Sequence, residues 1–215
     1  MRIFFDIDGV VIDGWHAQPE RRKPWDATIE RDLGVDRAAF QGALFKPPRD
    51  GAESLMGACV RGEGDLKDVL SELLPTVGYR GSVDGFLEYW FANDSNVNRA
   101  VIGIVERLGR CDAVALYLAT NQEKYRAAYL WNELGLKDFF VDMFVSANLG
   151  VTKTDAAFYA EIDAQLGIAP SDRPLFFDDK ADVVGAAQAA GWDAHVFETV
   201  ADLSRNPRLT ELLRD

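Results

Sequence analysis

The chain is poor in the residues from which many catalytic and structural sites are built. Its 215 residues include two cysteines and two histidines. Cys59 and Cys111 have neither the spacing of a metal site nor that of a disulfide scaffold. They are expected to be ordinary thiols in a reducing cytoplasm. His195 falls in an apolar run and reads as a packed residue, while His16 lies in a polar stretch and reads as a solvated one. Long apolar runs are also missing, and none could cross a bilayer. Met1 leads straight into the first apolar run, so no signal peptide is expected. Basic residues are outnumbered 23 to 35, giving a net charge of −12. Such a chain repels nucleic acid and anionic membrane, so neither is expected as a partner. Repeats and low-complexity tracts are absent. The chain does have apolar mass: 48% of its residues are hydrophobic. That is enough for one large α/β domain, or for a core with a smaller insert, working as a monomer or homodimer.

The first apolar run, Ile3-Phe4-Phe5-Asp6-Ile7-Asp8-Gly9-Val10-Val11, has the composition of a buried strand that ends at the glycine. A polar, irregular stretch follows from Asp13 to Trp25. From about Trp25 to Asn96 the pattern is helical, with Ile29, Leu33 and Phe40 on amphipathic turns. Gly62 to Asp65 marks a helix start, and Leu66, Val69, Leu70, Leu73 and Leu74 follow at helical spacing. From Val97 onward, helices and strands alternate. Strands are expected over Ala113–Ala119, Met143–Ser146, Leu175–Phe177 and Ala194–Phe197, with helices over Ala100–Leu108, Gln122–Leu134, Thr154–Leu166 and Asp182–Ala190. Alternation of this kind predicts a doubly wound parallel sheet, Rossmann-like, whose ligands bind at the carboxyl ends of the strands. The expected division is a core of residues 1–13 and 97–215 with a helical cap of residues 14–96.

The polar residues at those strand ends form a set. Asp6 and Asp8 close the first strand, Thr120-Asn121 the second and Asp178-Asp179 the fourth, and Lys153 precedes the helix leading to the fourth. Taken singly, each has a structural reading: an Asp-x-Asp turn, a Thr-Asn helix cap, a solvated lysine, an aspartate cap. Their conjunction in chain order, each at a strand terminus, points to a site. Carboxylates gathered on one edge resist ionising together. A hard cation such as Mg²⁺ resolves that conflict and takes substrate phosphate oxygens as further ligands. Such an inventory suits phosphoryl transfer.

In this order the segments resemble the four motifs of the haloacid dehalogenase (HAD) superfamily. Phe4 to Val11 resembles the first, Leu118 to Asn121 the second, Gly150 to Lys153 with Phe158-Tyr159 the third, and Phe176 to Asp182 running on to Gly191 the fourth. The helical insert is similar to the caps of small-molecule phosphatases. Arg61-Gly62-Glu63 and the Phe-Phe-Asp-Asp run resemble the branch of glucose-1-phosphatase and the amino-terminal phosphatase of soluble epoxide hydrolase. The resemblance implies a Mg²⁺-dependent phosphatase of a small, sugar-phosphate-like metabolite. Asp6 would attack phosphorus, and Asp8 would serve as general acid and base. Thr120 and Lys153 would hold and neutralise the phosphoryl group, with Asn121 assisting. The cation would be held by Asp6, the Asp8 backbone carbonyl and Asp179, with Asp178 as alternative ligand or support.

The chain departs from the pattern at two places. Thr154 stands where proline usually follows the lysine. Aligning Asp179 with the metal ligand puts Val183 at a position that is commonly Asn or Asp, whereas aligning Asp178 gives that position to Asp182. A mutase, a hydrolytic dehalogenase and an inactive binding module are the alternatives. Trp15, Trp25, Phe45, Phe86 and Trp90 are candidates for a specificity surface or, as aromatics at helical spacing, for core. Arg21, Arg22 and Lys23 are candidates for guiding an anionic substrate or for a solvated charge run.

Overall fold

A computed structural model describes residues 1–14, 22–49 and 51–214. Trp15, His16 and Arg21 fall outside the described residues. The chain begins with strand β1 (Arg2–Phe5). Five helices follow: α1 (Ile29–Leu33), α2 (Arg37–Phe45), α3 (Leu55–Val60), α4 (Leu66–Thr76) and α5 (Val83–Asn93). The alternating part then runs α6 (Arg99–Leu108), β2 (Ala115–Thr120), α7 (Lys124–Asn132), β3 (Asp142–Val145), α8 (Ser146–Leu149), α9 (Ala156–Leu166), β4 (Leu175–Asp178), α10 (Ala181–Ala189), β5 (Asp193–Val196), α11 (Val200–Ser204) and α12 (Pro207–Thr210). No helix among the described residues is long and apolar enough to cross a membrane.

The five strands form one parallel sheet in the order β3-β2-β1-β4-β5. β1 is central, and its pleat feeds two cores. Ile3 and Phe5 pack with Val101, Val105 and Leu108 of α6 on one face. Phe4 packs with Tyr159, Phe176 and Trp192 on the other. Because helices cover both faces, the strand reads as a continuous apolar run rather than an alternating one. The order reverses beside β1, so the carboxyl ends of β1 and β4 flank the crevice where such sheets bind ligands.

Several helix starts carry side-chain caps that refine the sequence expectation. The helix expected from Gln122 begins at Lys124, because the Glu123 carboxylate accepts from the backbone N–H groups of Tyr125 and Arg126. The third strand stops at Val145, and Ser146 opens the short α8 instead. Asp65 caps α4, whose Leu66, Leu70 and Leu74 are buried.

Helices α1–α5 build a third cluster of their own, centred on Phe40, Leu70, Leu74, Phe86 and Trp90. The two chain segments that lead into and out of this insert run side by side. Ile12 bridges Val97 in antiparallel fashion, Asp13 N–H donates to Asn96 O and Asn98 N–H donates to Val11 O. The insert also leans on the core through Asp65, which pairs with Lys124 at 2.6 Å and accepts from the Tyr125 hydroxyl at 3.0 Å.

Candidate active site

Asp6 follows directly on β1, and its N–H still donates to Phe177 O at 2.9 Å, as if the strand continued. The pairing with β4 places Asp6 beside Asp178, the last residue of that strand. Both are buried, at 5% and 0% exposure. Lys153 enters between them, its Nζ 2.6 Å from Asp6 Oδ1 and 2.7 Å from Asp178 Oδ2. Two contacts hold the backbone of that lysine. Asn121 Oδ1 accepts from Lys153 N–H at 2.9 Å, and the buried Tyr159 hydroxyl donates to Lys153 O at 2.8 Å. The Asn121 amide therefore positions the lysine loop, and Thr120 lies buried beside it at the end of β2. Thr154, where a proline was expected, meets Thr152 through their hydroxyls and leaves Lys153 in place.

Asp179 completes the cluster. Carboxylate oxygens of Asp6, Asp178 and Asp179 all lie within 4.8 Å of one another. Asp178 is engaged on both oxygens, by Lys153 and by the Lys180 N–H. Asp179 Oδ2 accepts from Lys180 Nζ at 2.7 Å, whereas its buried Oδ1 has no partner among the described residues. Gly9 is required opposite it: φ is +91°, and a Cβ there would stand 2.6 Å from the Asp179 carboxyl. Three carboxylates face two ammonium groups, which leaves one negative charge. Burial, reinforced by Asp178 and Asp8 and opposed by Lys153, pushes the Asp6 carboxyl up to about 7. Lys153 is held above its usual value despite burial, because Asp6 and Asp178 favour its charged form. A hard divalent cation fits this donor set of oxygens, with its surplus negative charge and one unpartnered carboxylate oxygen.

Asp8 turns elsewhere. Arg126 grips it with both Nη atoms, at 2.7 and 2.9 Å, and the Gln122 amide also donates to it. Burial works to raise the Asp8 pKa, but the Arg126 charge and these hydrogen bonds outweigh it and hold the carboxyl below its ordinary value. The Asp8 side chain thus stands apart from the three-carboxylate cluster. Arg126 reaches further, to Asp94 O at 2.8 Å at the end of α5. Burial pushes the Asp94 carboxyl up to about 6, with the Arg126 charge opposing. Sequence reading missed Arg126, Gln122 and Asp94. An arginine in Glu-Lys-Tyr-Arg on a helix has the look of a solvated charge, and only the packing of α7 against the end of the insert turns it inward.

A cavity of about 580 Å³ opens above these groups. Asp8, Asn121, Asp179 and Lys180 lie at its core side, and Trp25, Phe45 and Trp90 line it from the insert. Phe86, also a candidate for such a surface, is instead fully buried among the insert's core residues. Arg22 pairs with Asp13 and meets Asn96 at the root of the insert, while Lys23 is exposed. His195 stacks on Phe177 and meets Asp193, but its side chain is 42% exposed, so it lies at the sheet's surface rather than packed inside.

Solved structures share this fold over nearly their whole length. A predicted HAD-like hydrolase from Porphyromonas gingivalis is 20% identical, with a TM-score of 0.70 over 100% of this chain and 98% of its own. A HAD family enzyme from Bacteroides thetaiotaomicron, in complex with magnesium and inorganic phosphate, is 14% identical, with a TM-score of 0.67 over 91% and 92%. The chain has the haloacid dehalogenase fold. The L-2-haloacid dehalogenase of Xanthobacter autotrophicus, with chloropropionic acid covalently bound, shares that fold at a TM-score of 0.62 and 16% identity, over 98% of each chain. No family model and no curated protein sequence matches the chain. Within this fold Asp6, Asp178 and Asp179 gather at the ends of β1 and β4 with Lys153, Asn121 after β2 holds the lysine backbone, and Asp8 pairs with Arg126.

Proposed function

We propose that this chain is a Mg²⁺-dependent phosphomonoesterase that acts on a small phosphorylated metabolite. The observation that carries the reading is the buried Asp6–Lys153–Asp178 array with Asp179 beside it and Asp8 two residues after Asp6. HAD-fold neighbours in complex with magnesium and phosphate support it. Asp6 would attack phosphorus, form an aspartyl-phosphate and release the alcohol. Lys153 would keep Asp6 aimed, favour its ionised form against the effect of burial, and offset charge on the phosphoryl oxygens. Thr120 would hydrogen-bond those oxygens, and Asn121 would fix the lysine loop. Mg²⁺, held by Asp6, Asp179 or Asp178 and the Asp8 backbone carbonyl, would supply further neutralisation of phosphoryl charge.

Asp8 in the grip of Arg126 is a carboxylate, the form that takes a proton from the water hydrolysing the aspartyl-phosphate. An arriving phosphoryl dianion raises the proton affinity of that carboxylate, which favours the protonated form needed to protonate the leaving oxygen. Residues 14–96 would act as a cap that encloses the cavity and excludes bulk water.

The likeness to a dehalogenase supplies a second reading, displacement of halide by Asp6 without metal. Both are tested on the purified chain by phosphate release from p-nitrophenyl phosphate, with Mg²⁺ or with a chelator, alongside chloride release from 2-chloropropionate. The expected result is phosphate release that the chelator abolishes. Chloride release in its place would establish the second reading.

A further inference from the structure

The cavity walls carry information about the part of the substrate that is not phosphate. The insert contributes chiefly rings and apolar side chains. Trp25 stacks on Trp90 with centroids 4.5 Å apart and an interplanar angle of 12°, and Phe45 meets Trp90 edge-on at 5.9 Å. Trp25 and Phe45 are only partly buried and line the cavity, unlike Phe40 and Phe86 behind them, which are fully buried. These two rings therefore do more than fill the insert's core.

Polar groups on the walls are mostly committed. Gln122 and Arg126 are taken by Asp8, and Glu123 caps α7. Asp26, 1% exposed, is held by Arg37 at 2.9 Å and by the Gln41 amide. On the insert side Arg37 is the exception, as Lys180, 59% exposed beside Asp179, is on the core side. Arg37 lines the cavity with its side chain 42% exposed, and the Asp26 contact engages Nη2 only. Its Nε is buried and has no partner among the described residues, so it is the outer part of the guanidinium that faces the cavity. Asp26 thus anchors one corner of a rigid guanidinium whose exposed part suits a carboxylate or carbonyl oxygen.

A sugar phosphate would bring several hydroxyl groups into this space, where most insert-side polar groups are already engaged. A flat apolar body would instead lie against the rings. We infer that the substrate is a phosphomonoester with a planar, largely apolar body and an anionic or carbonyl acceptor at its far end, the body held by Trp25 and Phe45 and the acceptor by Arg37. This rests on the phosphatase reading and replaces its sugar-like substrate with an aryl-like one.

The test compares 4-carboxyphenyl phosphate, phenyl phosphate and glucose 6-phosphate by kcat/KM on the full chain with Mg²⁺. Binding of two non-hydrolysable analogues, 4-(phosphonomethyl)benzoate and benzylphosphonate, is measured by calorimetry. The carboxylated compound of each aryl pair should be preferred by about tenfold or more, the scale of one charge-assisted hydrogen bond. Glucose 6-phosphate should rank last. Arg37→Gln should collapse the carboxylate preference in both turnover and binding, and Arg37→Lys should restore part of it. Trp25→Ala should weaken both phosphonates alike. If Arg37→Gln fails to fold, the ranking of wild-type substrates and the Lys variant still decide. Preference for glucose 6-phosphate, or equal binding of the two phosphonates, would overturn the inference and leave the phosphatase reading standing. Turnover of no phosphate ester at all would overturn both.

Discussion

On the core side of the cavity, Asp6, Asp178 and Lys153 are at most 5% exposed and are joined by contacts of 2.6 and 2.7 Å. On the insert side, Trp25 and Phe45 are partly buried and meet their neighbours through rings at 4.5 to 6.3 Å. The first region is electrostatic and rigid: each charge there is costly unless its partner stays in place. The second is apolar, and a ring can shift by tenths of an ångström at modest cost. Chemistry that needs a fixed nucleophile belongs in the first. Discrimination among organic groups, worth a few kcal/mol at most per contact, belongs in the second.

Substitutions that test this contrast range from large effects to small. Asp6→Asn keeps the shape and removes the proposed nucleophile, so turnover of p-nitrophenyl phosphate should fall by several orders of magnitude while circular dichroism shows a folded chain. Near-normal turnover would break the assignment. Lys153→Met leaves two buried carboxylates facing each other without their shared cation. Unfolding in urea should show a loss of roughly 3–5 kcal/mol, the usual scale for removing one partner of a buried pair. An unchanged midpoint would mean that the lysine is not structurally engaged.

The metal site sharpens the contrast through pH. A carboxyl raised to about 7 favours its protonated form in the folded, metal-free chain. Stability from this group is therefore greatest below its unfolded value near 4 and is lost as pH rises toward 7. A cation must displace that proton, so Mg²⁺ affinity should fall by up to tenfold per pH unit below about 7, with proton release seen by calorimetry in buffers of different ionisation heat. Affinity equal at pH 6 and pH 8 would remove Asp6 from the ligand set. Asp179→Ala should abolish the Mg²⁺-induced rise in Tm more completely than Asp178→Ala, and the reverse order would exchange their roles.

Changes on the insert side should be smaller. Trp25→Ala should raise KM for aryl phosphates about tenfold while leaving the Mg²⁺ requirement as it was, and an equal loss for every substrate would argue against a discriminating wall. Asp94 lies between the regions, its carboxyl pushed up to about 6. Its charged form opposes folding above that pH, so Asp94→Asn should stabilise the chain by about 1–2 kcal/mol at pH 7 and by little at pH 4. Thermal melts at the two pH values check the sign.

The catalytic candidates could be read from sequence because each sits at a position that local pattern defines. A run such as Ile3-Phe4-Phe5 closed by a nearby glycine reads as a buried strand, and the polar residue that follows it falls at the strand's end. The same holds for Thr120-Asn121 after β2 and Asp178-Asp179 at the end of β4. Parallel winding then brings strand ends together whatever the intervening residues are. Element boundaries drifted by one or two residues, as where the side-chain cap Glu123 took over the first turn. The partners of those carboxylates were not legible. Arg126 gives no local sign that it will reach Asp8, 118 positions earlier. Nor does anything near Trp25 announce a stack on Trp90. The sequence by itself thus determined the alternating core, the helical insert and the charged residues at the strand ends, because period and burial are local properties. Tertiary structure alone decided which charge neutralises which, that Asp8 is held apart from the Asp6–Asp178–Asp179 cluster, and which aromatics face the cavity rather than the core. Those outcomes depend on distances between elements far apart in the chain, and packing sets those distances.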